Sequence, residues 1–208
     1  MSRASPPRRG AFPRDDSGAT LVEFALVIGL LLILIFMMFD FGRIMNAMVF
    51  TQKGVERVAR AAIVTTPVCG GVPTVVQRRS GNTSDPGTLC RSAADPCDTY
   101  TVTCTADPRA APGGSVAAIM DPFLPAVSTG GTLTFTYESD NFPGSPRIGF
   151  VTGPTTPIVS VELSDVRLTM VSPLAGLLGL VSGSESTLFQ NGFTLPTVRV
   201  SLPAEDLQ

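Results

Sequence analysis

The feature that most limits what this chain can fold into is a run of 21 residues, Ala19 to Phe39, whose only charge is the carboxylate of Glu23. At a rise of about 1.5 Å per residue, a helix of that length crosses a hydrocarbon core of about 30 Å, so the run reads as a transmembrane helix. A cleaved secretory signal is the competing reading, but its apolar region runs to only about 7–15 residues and no A-x-A-like site follows here. Residues 1–18 are rich in Pro, Arg, Ser and Gly, and they hold Arg3, Arg8, Arg9 and Arg14. Without apolar periodicity they are expected to form a disordered leader, and their excess of Arg favours a cytoplasmic N-terminus.

Glu23 needs a reason of its own. A lone acid costs about 2.5–3.5 kcal/mol at mid-bilayer and less near the headgroups. Its place near the start of the run leaves two readings: an interfacial acid without a partner, or one half of an ion pair.

Past Phe39 the helix is expected to continue. Phe41, Met45, Met48, Val55, Ala59 and Ala62 follow spacings of three and four with Gln52 between, while Asn46, Lys53, Glu56, Arg57 and Arg60 take other faces. The pattern predicts a transmembrane and extended helix over residues 19–66, stopped by Thr65, Thr66 and Pro67. Phe41, Met45, Met48, Val55 and Ala59 would continue a seam for packing against other helices.

Residues 67–208 are expected to fold as one extramembrane α+β domain. From Pro67 to Gly131 the chain is dense in Gly, Pro, Ser, Thr and Asp, and it holds all four cysteines, Cys69, Cys90, Cys97 and Cys104. Such a loop-rich segment needs staples, and thiols outside the cytosol oxidise, so two disulfides are expected. Three connectivities are open; cheap closure of short loops favours Cys69–Cys90 with Cys97–Cys104. The seven-residue spacing of the last three is not a heptad, because Pro96 and the flanking turn residues break a helix there. C-x₂₋₄-C pairs and His are both missing, which argues against zinc. Asp85, Asp95, Asp98, Asp107 and Asp121 lack the order of a calcium loop and read as solvated turn acids.

Tyr100–Cys104 reads as a short strand, and Ser115–Met120 as a short helix with Ser115 as N-cap and Pro122 beyond its end. Thr132–Tyr137, Pro157–Val171 and Thr197–Leu202 alternate apolar with polar side chains, which predicts a half-buried antiparallel sheet. Pro173–Val181 is apolar but too short to span a bilayer; a buried connection is expected there rather than a membrane-surface or subunit contact. The fold class is therefore α+β: a long N-terminal transmembrane helix, then a small antiparallel sheet domain with a loop-rich, disulfide-stapled segment.

Composition narrows function. With no His, one lysine (Lys53) and a formal net charge of −2, the chain has few means of activating a nucleophile and no basic stripe interleaved with aromatics. Neither an enzyme nor a nucleic-acid binder is expected, and no cofactor or metal is implied.

Against this frame, "GATLVEF" (Gly18–Phe24) resembles the processing site of type IV pilin-like proteins, in which a prepilin peptidase cuts after Gly and Glu stands fifth in the mature chain. The Glu23-Phe24 pair resembles that of the tight-adherence branch. From Gly18 to Val64 the chain is similar to the N-terminal segment of TadE-like pseudopilins, including "DFGR" after the apolar run and "VARAA" near the helix end. Val171–Phe189 resembles the family's "PL…L…G" turn followed by a strand.

The resemblance implies a pilin-like helix and a minor pseudopilin that takes part in assembly or initiation of a tight-adherence (Flp-type) pilus. Ser17, Gly18 and Ala19 would be substrate positions of the peptidase, and Glu23 with Phe24 would set the register between subunits. Cutting after Gly18 would free an α-amino group on Ala19 with a reference pKa of about 7.7–8.0, on the same helical face as Glu23. The implied partners are the prepilin peptidase, other pilin and pseudopilin subunits, the inner-membrane assembly platform and the lipid bilayer. The implied location is single-pass in a bacterial inner membrane with a cytoplasmic N-terminus and a periplasmic C-terminal domain, with incorporation into the pilus left open. The longer relatives with an added adhesion-type domain need far more chain than 208 residues. The alternative function is an uncleaved, membrane-anchored envelope protein whose β domain binds a ligand or another envelope protein.

Overall fold

A computed structural model describes residues 16–92, 95–139, 149–169 and 193–204. A single helix, α1 (Asp16–Ala62, 47 residues), leads into an antiparallel sheet of β1 (Thr101–Ala106), β2 (Ser128–Glu138), β3 (Ile158–Leu168), β4 (Phe193–Thr194) and β5 (Val198–Pro203). At about 1.5 Å per residue α1 is about 70 Å long. It ends four residues before the expected boundary at 66, where the Ala61 carbonyl of the last turn accepts from the Val64 N–H at 3.2 Å and from the Thr65 hydroxyl at 2.9 Å. The expected α+β class, with a long apolar helix, an antiparallel sheet and two disulfides, is what the chain forms.

The sheet is ordered β1-β2-β3, with β4 and β5 on the far side of β3 at its two ends. One face packs on the second half of α1. Leu133, Phe135 and Tyr137 of β2 and Val159, Val161 and Leu163 of β3 meet Val55, Val58, Ala59 and Ala62 of α1 in the core. Both long strands then change the parity of their buried residues at one level. The inward set moves from Leu163 to Val166 and Leu168 on β3, and from Gly131 to Ser128 on β2. Gly130, Gly131 and Asp165 all take positive φ there, and a Cβ on Gly130 would stand 2.6 Å from the Asp165 carbonyl oxygen, so only glycine fits. Simple alternation through Pro157–Val171 missed this break.

Between β1 and β2 the expected short helix over Ser115–Met120 forms as a 3₁₀ helix, Ala117–Phe123, with Val116 instead of Ser115 at the cap position and Pro122 inside it, not beyond its end. The Ser115 hydroxyl still accepts from the Ala118 N–H, at 3.3 Å. The tighter winding has a physical reason: side chains three apart eclipse in a 3₁₀ helix, which lines up Met120 and Phe123 against Gly54 of α1. A Cβ on Gly54 would come within 2.7 Å of Met120 Sδ and of Phe123 Cβ, so this glycine is where the two helices touch.

The disulfides are Cys69–Cys104 and Cys90–Cys97, not the nearest-neighbour pairing. Loop closure does not decide here. Val68 donates its N–H to the Tyr137 hydroxyl at 3.1 Å, which lays Cys69 beside β2; Cys104 of β1 stands opposite Phe135 of β2, so sheet pairing delivers it to Cys69. Cys90–Cys97 closes a smaller loop and centres a second buried cluster with Val151 and Val76.

The expected seam divides. Val55 and Ala59 are fully buried in this domain's own core, because the sheet and the 3₁₀ helix cover that face, and they are not free to pack against other helices. Met48 is half-buried against the same core, whereas Phe41 and Met45 stay exposed, at 63% and 49%. Pro173–Val181, the tail resemblance at Val171–Phe189 and most of the leader lie outside the described residues.

Candidate functional site

The first half of α1 carries the motif residues. Gly18 sits in the opening turns of a helix that begins at Asp16, and nothing approaches within 4 Å of where its Cβ would be. The first four N–H groups of a helix have no intrahelical partner, so the Gly18–Ala19 bond lies where the backbone opens at least cost. Ser17 and Ala19 flank it on the same turn. One turn on, Glu23 and Phe24 are both exposed, Phe24 at 63%, and among the described residues Glu23 makes no ion pair. From Leu21 to Phe39 the large side chains are mostly open, with Leu30 72% and Met38 75% exposed. An apolar surface of this extent must be covered by lipid or by other helices.

Beyond Asp40 the exposed apolar side runs on through Phe41, Met45, Val49 and Phe50, while Ala47, Thr51, Val55 and Val58 turn into the domain. The helix thus offers two faces at once, one used internally and one left open. Asn46, Lys53, Arg57 and Arg60 fall on exposed positions. Arg57 lies over the Phe123 ring at 5.7 Å and Lys53 pairs with Glu56 at 3.1 Å, both on the surface.

Residues 18–60 match the family model of the TadE-like proteins. The matched segment begins at Gly18 and ends two residues before α1 does. The apolar helix of this segment fits a single-pass membrane anchor. No curated protein and no solved structure matches the chain.

Among the described residues, two enclosed concavities outside the motif bear on function, and sequence reading singled out neither. A cavity of about 230 Å³ beside Cys90–Cys97 is lined by Gln77, Asp98, Tyr100, Thr155 and Thr156 among others. The Tyr100 hydroxyl shares a 2.8 Å hydrogen bond with Thr155 Oγ1; burial raises its pKa above the ordinary 10.0, with the Thr155 bond opposing more weakly. The second, of about 380 Å³, lies where α1 meets the 3₁₀ helix and the Pro122–Val127 turn, and Asp40 lines it. Two signals marked Asp40 in the sequence: it opens the DFGR segment and it is the first ionisable residue after the apolar run.

Proposed function

We propose that the protein is a minor pseudopilin that helps assemble or initiate a tight-adherence pilus, anchored in a bacterial inner membrane with its sheet domain in the periplasm. A prepilin peptidase would cut after Gly18 and free the Ala19 ammonium. The observation that carries this reading is the TadE-like match over residues 18–60, which starts at the glycine of the cleavage motif. The open apolar face of the same segment supports it, since a helix of this kind needs lipid or sister helices around it.

The mechanism is association, and no catalysis is proposed for the chain itself. In an apolar bundle two charges are tolerable only when paired, so Glu23 would neutralise the Ala19 ammonium of a neighbouring subunit and set the axial register. The internal use of Val55 and Ala59 confines contacts with other helices to the open side, through Phe41 and Met45.

N-terminal sequencing of membrane-extracted protein should find a chain beginning at Ala19; a chain beginning at Met1 or Ser2 would instead favour the uncleaved, anchored binding protein. Glu23→Gln should leave cleavage and insertion normal but lose co-purification with other pilin-like subunits. A broken buried pair costs about 3–5 kcal/mol, which lowers association by two orders of magnitude or more. A Gln variant that assembles like the parent removes the register role.

A further inference from the structure

We propose that the Asp40 cavity is a subsite for a phospholipid headgroup carrying a phosphate and a primary ammonium. This rests on the membrane-anchored part of the reading above and on none of its pilus-specific parts.

Position comes first. The apolar run ends at Phe39, and the headgroup layer beyond a hydrocarbon core is about 5–7 Å deep on each side, or about four helical residues. Asp40 and Arg43 therefore lie at headgroup level. The cavity of about 380 Å³ has Asp40 and Arg43 at its polar end and Phe50, Phe123, Leu124 and Phe193 among its apolar walls. A shallow groove lined by Ile35, Met38, Phe39 and Gly42 runs along the same helix towards the hydrocarbon and shares Arg43 and Asn46 with the cavity. Headgroup and acyl chain thus have adjoining places.

Charge comes second. Asp40 is 8% exposed, and its Oδ2 is buried with no hydrogen-bond partner. Its other oxygen stands 3.9 Å from Arg43 Nη1, beyond hydrogen-bond length, and the Arg43 side chain is one-third exposed. A buried carboxylate oxygen left without a donor is costly, so a site of this kind waits for an N–H or O–H. A primary ammonium supplies three, while Arg43 is free to turn its outer N–H groups to the phosphate. The pair of opposite charges matches a zwitterion. A quaternary ammonium has no N–H to give, so it leaves Asp40 Oδ2 unsatisfied.

The test uses the full chain in nanodiscs made with equal parts of phosphatidylethanolamine, phosphatidylcholine and phosphatidylglycerol, with retained lipids counted by native mass spectrometry after release into detergent. The expected result is retention of the ethanolamine lipid about tenfold or more over the choline lipid, the scale of one charge-assisted hydrogen bond. Asp40→Asn should abolish that preference while the variant still inserts. Arg43→Gln should weaken retention of all three lipids, and it serves as the second variant if Asp40→Asn does not fold. Equal retention of the three lipids, preference for the glycerol lipid, or an unchanged preference in Asp40→Asn would overturn the subsite. Failure of the parent chain to enter nanodiscs would sink the membrane reading itself, which separates the two.

Discussion

The two halves of α1 each present an apolar face, yet those faces are built from different residues for different surroundings. Between Leu21 and Phe39 the large exposed side chains are Leu, Ile, Val, Phe and Met, and among the described residues nothing else covers most of them. Between Ala47 and Ala62 the buried residues are small: Ala47, Thr51, Gly54, Val55, Val58, Ala59 and Ala62. Hydropathy separates the halves as whole segments, since the second carries Lys53, Glu56, Arg57 and Arg60; what separates their apolar faces is size. Lipid accepts any large apolar side chain, whereas a sheet and a 3₁₀ helix come close to a helix backbone only over small ones. Gly54 is the limiting case, with no room for even a methyl group.

The largest effect that could break this division is a charge placed in each half. Val55→Asp puts an unpaired carboxylate at a fully buried position, which costs several kcal/mol and should abolish cooperative unfolding of the sheet domain. Leu30→Asp, near the middle of the apolar run, should leave that unfolding transition where it was and penalise insertion by about 2.5–3.5 kcal/mol. Chemical denaturation in detergent reads the first and a membrane-insertion assay the second. If either variant shifts both readouts alike, the halves are not independent.

A second test asks what holds the packed half against the sheet. Cys69 lies just beyond the end of α1 and is bonded to β1 across a separation of 35 residues, whereas Cys90–Cys97 closes a separation of 7. Loop entropy in the unfolded chain makes the larger bridge worth about 4 kcal/mol and the smaller about 2.5 kcal/mol. Replacing Cys69 and Cys104 together by Ser should therefore lower domain stability more than replacing Cys90 and Cys97. The reverse order in denaturation midpoints would mean that the second cluster, around Val151, holds the domain and not the helix–sheet contact.

What could be read in the chain beforehand follows the same line between local and long-range causes. The helix, β2, β3 and β5 announce themselves by period, because 3.6- and 2-residue repeats are local. The disulfide pairing was hidden, since Cys104 reaches Cys69 only after β1 has paired with β2. The parity break at Gly130, Gly131 and Asp165 looked like one more alternation until the backbone turned to positive φ. Spacing placed Val55 and Ala59 on an apolar face correctly but could not say that this chain covers that face itself. The stretch from Gly18 to Phe24 was legible as residues in order, and the family match begins at that glycine. The Asp40 cavity was not, because its walls come from α1, the 3₁₀ helix, β3 and β4.

The smallest expected effect sharpens the comparison through pH. Both tyrosines of the chain, Tyr100 and Tyr137, lie beyond α1. Tyr137 is fully buried, and burial raises its pKa above 10.0 against the weaker opposing effect of the Val68 N–H on its hydroxyl; Tyr100 is raised for the same first reason. A raised folded-state pKa means that the fold favours the neutral phenol. Its contribution is complete below the unfolded value of about 10 and is lost as pH climbs through the folded value, because the unfolded chain gives up the proton first. The sheet domain should thus lose stability above about pH 10 while the apolar half of α1, which has no tyrosine, keeps its helicity in micelles. Tyr137→Phe should cost about 1 kcal/mol near neutral pH by leaving the Val68 N–H without its acceptor, and the gap to the parent should narrow as pH rises past about 10. Denaturation midpoints and far-ultraviolet ellipticity across that range decide it: helix signal lost from both halves together would show α1 melting as one body, and the size-based division of its faces would carry no energetic boundary.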